Sequence, residues 1–214
     1  MKDMFSSWRY LAVALFFFVL QGLIGYTYLH AGQPLYFLWF CNHTPLLIGF
    51  AILFRKVDFV KALLNVGFFL QLFWSIDFFG MLLFGTSVFH VTEYMFVGIS
   101  TFSFIGSLLA HVLSPVIGLA VSVSRPQKQK TLVYSAVYLV LLYLVTLVFA
   151  TSGSNYNLFF YVTLPLGDVS FPGYTLLWPF LAFVLVVLPT HFFQKGLHTL
   201  VSFLTQQKGE DTLH

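Results

Sequence analysis

The chain has 214 residues, of which 59% are hydrophobic and only 8% charged, with 28 phenylalanines and a mean hydropathy of +0.89. A soluble domain cannot hide that much apolar surface, so the composition excludes one and makes lipid the expected solvent. The net charge of +3 comes from basic residues in separate segments, which excludes a nucleic-acid-binding face, and the one cysteine cannot close an intrachain disulfide.

Residues 1–9 are a short polar start, and 8–29 form the first apolar run, with Trp8, Tyr10, Tyr26 and Tyr28 where interfacial aromatics belong. The run exceeds the ~7–15 apolar residues of a signal peptide and lacks a small-residue cleavage site, so a retained helix is expected. After a turn at 31–34, a second helix is expected over 35–54, stopping at Arg55-Lys56. A third is expected over 59–79, a fourth over 97–123, a fifth over 132–150 after the basic turn 125–130, and a sixth over 174–193 after the longer loop 151–173. Leu197, Leu200, Val201 and Leu204 recur at helical spacing in the tail 194–214, which is expected to lie along the inner membrane surface. The fold class is therefore all-α, a single domain over 1–214 with six transmembrane helices.

Six crossings put both termini on one side. All ten lysines and arginines fall in the N-terminus, the 2–3 connection, the 4–5 connection or the tail, so both termini are expected in the cytoplasm. Short connections suggest a prokaryotic plasma membrane.

The polar residues inside the spans are few and costly to bury. Phe40-Cys41-Asn42-His43-Thr44-Pro45 places a thiol, an amide, an imidazole and a hydroxyl together in helix 2. Pro45 has no N–H to give the Cys41 carbonyl, so the helix opens there. His111 and Pro115 repeat the arrangement in helix 4. Counting about 1.5 Å per residue, Cys41 lies about 9 Å and His111 about 12 Å below the outer edge of a ~30 Å core. Gln71, Ser75 and Asp77 fall in the outer half of helix 3, and Ser100, Ser103, Ser107, His111, Ser114 and Gly118 share one face of helix 4.

A thiol and an imidazole at one depth can carry out acyl transfer. The imidazole takes the thiol proton, sulfur attacks an ester carbonyl, and the imidazolium protonates the leaving alcohol. Asp77 or Gln71 is a candidate to orient His111, Asn42 or Asn155 to hold the oxyanion, and Thr44 is a reserve nucleophile. His43 points to another face of the helix. A metal site of Cys41, His43 and His111 is disfavoured because Cys41 and His43 diverge on a regular helix.

The order of Cys41 in helix 2, Gln71 with Asp77 in helix 3, His111 in helix 4 and Asn155-Tyr156 before helix 6 resembles the YwaF-like integral-membrane family. It is also similar to related six-span phospholipid acyltransferases, and more distantly to androgen-induced hydrolases of fatty-acid esters of hydroxy fatty acids, which use threonine in place of cysteine. The resemblance covers roughly 35–160 and departs in the 5–6 loop, where Asn157-Leu158-Phe159 leads into the unfamiliar stretch 165–172. It implies Cys41 as nucleophile and His111 as its partner. The expected function is a lipid acyltransferase or ester hydrolase in the outer half of the bilayer, with membrane lipids as partners, no cofactor or metal, and no nucleic acid. A transporter or ligand-binding membrane protein using the same polar cavity is the alternative.

Overall fold

A computed structural model of the chain describes residues 7–151, 155–164 and 167–211. The protein is all-α apart from one short hairpin. Helix α1 spans Ser7–His30, a 3-10 turn Pro34–Leu38 leads into α2 (Phe40–Leu53), and α3 covers Val57–Phe84. Two helices, α4 (Thr101–Leu108) and α5 (Ser114–Ser122), are joined through a π turn at Leu109–Leu113. Helix α6 is Lys130–Phe149; β1 (Val162–Leu164) and β2 (Gly167–Val169) pair antiparallel. The last helix comprises α7 (Tyr174–Ala182), a second π turn at Phe183–Val187, and α8 (Leu188–Asp211).

Five helical stretches are long and apolar enough to cross a membrane: Trp8–His30, Val57–Phe84, Thr101–Ser122, Lys130–Phe149 and Tyr174–Gln207. Phe40–Leu53 is apolar but shorter. Together they are compatible with a multi-pass membrane protein. The tail beyond 193 continues the last helix and does not separate from it. Gln194 is buried, and His198 Nδ1 donates to the Val123 carbonyl at 2.8 Å, so the continuation packs on the ends of other helices.

Helix α3 is the centre of the bundle and packs against α2, α5, α6 and α8, while α1 covers α2 and α4. Val60, Leu63, Leu64 and Val66 of α3 join Ile48 and Ile52 of α2 and Tyr138, Leu139 and Leu142 of α6 in the main core. A β-carbon at Gly67 would stand 1.6 Å from Cε1 of Phe40, so the missing side chain is the notch that seats the first residue of α2. Expected from 59 to 79, α3 runs further in both directions. Asp58 complements its N-terminal dipole, and Gly85, at φ +66°, ends it with an N–H bond to the Met81 carbonyl.

Candidate functional site: a thiol, an imidazole and an unpaired indole

The beginning of α2 is held from three sides. Asn157 accepts the Phe40 N–H at 2.8 Å and donates to the Leu38 carbonyl at 2.7 Å, both across more than a hundred residues of chain. It does so from a left-handed backbone (φ 56°), which asparagine tolerates better than most residues. On the α1 side, Gln21 Nε2 donates to the Asn42 carbonyl at 3.0 Å while its Oε1 accepts the Leu46 N–H at 3.1 Å. One amide thus serves both groups of the helical rung next to Pro45. On the α6 side, His43 Nδ1 faces the Phe37 carbonyl at 2.7 Å and must carry the proton. Its Nε2 therefore accepts the Tyr138 O–H, 2.5 Å away.

Cys41 is half-buried in the first turn of α2, and its thiol donates to Asn42 Oδ1 at 3.6 Å. Asn42 is 4% exposed and turns Nδ2 to the Tyr36 carbonyl at 2.9 Å. Thr44 is buried with its hydroxyl committed to the Phe40 carbonyl at 2.6 Å, the ordinary back-bond of a helical threonine, so it is not poised as a nucleophile.

The second half of the site is the π turn. Ser114 donates its N–H to the Leu109 carbonyl five residues back, and Pro115 has none to offer His111. Ser75 on α3 supplies what Pro115 lacks: its hydroxyl lies 3.1 Å from the His111 carbonyl, shared with its own turn at the Gln71 carbonyl (2.8 Å). Gln71 Nε2 reaches toward the Ala110 carbonyl at 3.5 Å. Both residues thus steady the backbone of the π turn. The His111 ring stacks on Trp74 at 4.2 Å and 18°, and its Nδ1 lies 2.9 Å from the Ser107 carbonyl. A carbonyl only accepts, so Nδ1 carries the proton and Nε2 is the basic nitrogen. No hydrogen bond to Nε2 occurs among the described residues. Of the serines expected on one face of this helix, Ser100 instead caps α4, accepting the Ser103 N–H, while Ser114 and Gly118 are buried as expected.

Asp77 is not available to orient His111. It is fully buried, and its carboxylate gathers six donors from one loop: the Ser87 hydroxyl, the N–H groups of Val88, Phe89, Val91 and Thr92, and the Thr92 hydroxyl. Its role is to fold the connection after α3, and the orienting acceptor for His111 is the Ser107 carbonyl. Asn155 likewise turns to its own loop, donating to the Tyr161 carbonyl and accepting the Phe160 N–H, and so is no oxyanion donor. Tyr156 is buried edge-on against Tyr36 and Trp39, where it closes the packing beside α2.

The loop that Asp77 folds delivers Tyr94. Burial raises the pKa of its phenol, the Trp74 and Ser107 side chains pull it down, and the Cys41 thiol adds to the rise. Tyr94 is itself about half exposed, its phenol facing the Trp74 and Ser107 side chains, and α2 packs against the π turn. Trp74 is 7% exposed; the Tyr94 phenol is the polar group that faces its indole, but the geometry does not close a hydrogen bond at Nε1. Gln21, Trp74, Tyr94, Tyr138 and Asn157 all belong to the site or its support, although none was singled out from the sequence. For Gln21 a signal existed, since it is the one amide in the first apolar run. For the aromatics none did, because they are common in this chain.

Among the described residues no group of three or more His, Cys, Asp or Glu side chains is placed to hold a metal ion. The structure is that of an all-α protein, compatible with a multi-pass membrane protein, with a polar site walled by α1, α2, α3 and the π turn. Compared with protein-family models, curated proteins and solved structures, the chain matches none.

Proposed function

We propose that this protein is a membrane-embedded lipid acyltransferase or ester hydrolase, with Cys41 as nucleophile and His111 as general base. The observation that carries the reading is the fixed tautomer of His111, which leaves Nε2 basic and unpaired beside the helix that bears the only thiol. Nε2 takes the Cys41 proton as sulfur bonds to the ester carbonyl carbon. The carbon–oxygen bond of the ester breaks, and the imidazolium returns the proton to the departing alkoxide. Water or a second lipid hydroxyl then attacks the thioester, giving its proton to Nε2, and the thiolate leaves and recovers that proton. Cys41 lies in the first turn of α2, where backbone N–H groups favour developing negative charge. The order of the named residues resembles that of the YwaF-like family and of the six-span Cys/His acyltransferases, which agrees with this assignment.

In this reading the chain crosses the membrane six times with both termini in the cytoplasm. The 14 residues of α2 give about 21 Å, and in this reading the 3-10 turn Pro34–Leu38, joined to it through the extended Trp39, belongs to the outer end of the same crossing. All ten basic residues fall on the side assigned to the cytoplasm, and the short connections fit a prokaryotic plasma membrane. In a Cys41→Ala background, an impermeant maleimide should label Thr86→Cys only from outside and Gln129→Cys only from inside; the reverse pattern, or both from one side, overturns the topology.

The test of the chemistry is the intact mass of the purified protein after incubation with mixed phospholipids. A hydroxylamine-labile acyl adduct on Cys41, absent in Cys41→Ser and slowed in His111→Ala, is the expected result. Unmodified protein together with unchanged lipids rejects it. A second reading, a transporter or binding protein using the same cavity, is favoured by the Cys41 thiol facing Asn42 and not His111. Saturable uptake into proteoliposomes without any adduct supports that reading.

A further inference from the structure

An indole N–H buried without a partner is uncommon, because tryptophan nitrogen usually finds an acceptor when it leaves water. Trp74 is such a case, 93% of it being buried and its Nε1 having no hydrogen bond. It makes two stacking contacts, with His111 at 4.2 Å and 18° and with Phe78 at 5.4 Å and 3°. An unpaired donor and an unpaired acceptor, Trp74 Nε1 and His111 Nε2, therefore belong to two rings in face-to-face contact. The two amides considered for an oxyanion, Asn42 and Asn155, are turned to backbone carbonyls. Among the described residues Trp74 Nε1 is the buried side-chain donor without a hydrogen bond, and an ester oxygen there would take the place faced by the Tyr94 phenol.

Phe78 continues the stack outward and lines an open groove of about 400 Å³ between α3 and α4, with Phe79, Phe104, Leu108, Leu109 and Val112. Its walls are almost wholly apolar, and Leu109 and Val112 belong to the π turn that carries His111. An alkyl chain lying in it meets Phe78, the ring that stacks on Trp74, and the two π-turn residues that flank His111.

We infer that this groove and Trp74 form a subsite for a single fatty-acyl ester, the alkyl chain lying between α3 and α4 and the ester carbonyl oxygen accepting the Trp74 indole N–H. The subsite names the group that would hold the carbonyl in the acyl transfer proposed above and rests on that reading for its catalytic meaning, though its binding chemistry stands apart from it. A chain without a carbonyl leaves the indole unpaired, so the subsite discriminates ester from ether.

The experiment uses the full chain with Cys41→Ala, in dodecyl maltoside micelles, so that no thioester forms. Two probes are compared, 1-palmitoyl lysophosphatidylcholine and its 1-hexadecyl ether counterpart, which lacks the carbonyl. The ester is expected to bind about 2- to 10-fold more tightly, the range of one neutral hydrogen bond. Trp74→Phe, which keeps the stacking, should erase the difference, and Leu108→Trp, which fills the groove, should weaken both probes and keep their ratio. With indole-¹⁵N tryptophan, one of the four N–H resonances should move on adding ester and not ether. Elimination with Trp8→Phe, Trp39→Phe and Trp178→Phe identifies it, so this arm stands even if Trp74→Phe fails to fold. Trp178 already donates to the Asn157 carbonyl at 3.1 Å and should stay still. Equal affinities, a preference that survives Trp74→Phe, a shift at another tryptophan, or palmitic acid outcompeting the ester each overturns the inference. Ester preference without an acyl adduct in the wild type defeats acyl transfer and keeps the subsite. Equal binding with an adduct does the reverse.

Discussion

Replacing Gly67 by alanine tests how α2, and with it Cys41, is held in place. The added β-carbon would meet the Phe40 ring at 1.6 Å, 2.0 Å and 2.7 Å, distances at which the ring must move by roughly 2 Å to reach ordinary contact near 3.5–4.0 Å. Phe40 has little freedom to do so: its N–H is tied to Asn157, and its ring lies edge-on to Tyr138 and His43. Overpacking of this kind costs about 1–3 kcal/mol and more when the neighbour is braced, so Gly67→Ala should fall at or above the upper end of that range. Gly49 is the control, because there the nearest atom is Cε1 of Phe18 at 2.9 Å, on a half-buried ring that can turn aside; Gly49→Ala should cost less. Two assays read the outcome in detergent, the thermal midpoint and the rate at which maleimide labels Cys41, the chain's one thiol. Gly67→Ala should lower the midpoint and change the labelling rate. Phe40→Ala in the same chain should recover part of the loss, giving a favourable coupling in the double-mutant cycle. If Gly67→Ala matches wild type in both assays, or if the two substitutions simply add, Phe40 does not seat α2 in that notch.

Asp77→Asn keeps the shape but removes the charge that six donors share; hydrogen bonds to a charged group are worth about 1.5–3 kcal/mol each and are not additive, so a loss of about 2–4 kcal/mol is expected. Amide exchange at Val88, Phe89, Val91 and Thr92 should accelerate, and unchanged protection there would contradict the role given to the carboxylate. Tyr138→Phe leaves His43 Nε2 without its donor and should cost about 1–3 kcal/mol in a denaturation midpoint, an effect that vanishes when His43 is already leucine. Ser75→Ala should cost about 1–3 kcal/mol in the wild type, by leaving the His111 carbonyl unpaired, and much less beside Pro115→Ala, which returns an N–H to that carbonyl. Equal costs of Ser75→Ala in the two backgrounds would show that the hydroxyl is not compensating for the proline.

The ends at Arg55-Lys56 and at the basic turn 125–130 were legible because charge bounds the apolar runs there, whereas α3 runs past the expected 79 to its cap at Gly85. Of the residues counted to a similar depth on different helices, Ser75 and His111 meet directly, and α2, which carries Cys41, packs against the π turn. Hydrogen-bond partners were not legible. Asp77 was near the right depth to face His111, but a carboxylate takes whichever donors lie closest, and the loop after Gly85 offers six within a few residues. Ser100, expected on the packing face, caps α4 instead, since a serine just before a helix satisfies the first N–H groups more cheaply than it packs against a neighbour. The part played by Gln21 depends on α1 crossing α2 beside Pro45, a fact of tertiary packing that no local pattern carries.

The four prolines within the helices fall into two kinds, and the difference explains why His111 sits where it does. Pro45 and Pro179 are each the sixth residue of their helix, close enough to its start that the α geometry absorbs them. Pro115 and Pro189 come far from the start of a continuous helix, and each is preceded by one residue and then by a five-residue π turn, Leu109–Leu113 and Phe183–Val187. A proline deep in a helix clashes with the carbonyl four residues back and leaves it unpaired, and widening the preceding turn relieves the clash while keeping the neighbouring N–H groups bonded. In the last helix that widened turn carries only apolar side chains, Phe183 to Val187, and nothing chemical follows from it. In the fourth span the same device falls on Leu-Ala-His-Val-Leu, so the backbone distortion that proline demands also turns an imidazole toward Trp74 and leaves its carbonyl for Ser75. The backbone cost is common to both helices; what separates a packing adjustment from a candidate site is one histidine in the widened turn and the hydroxyl and indole that α3 presents to it.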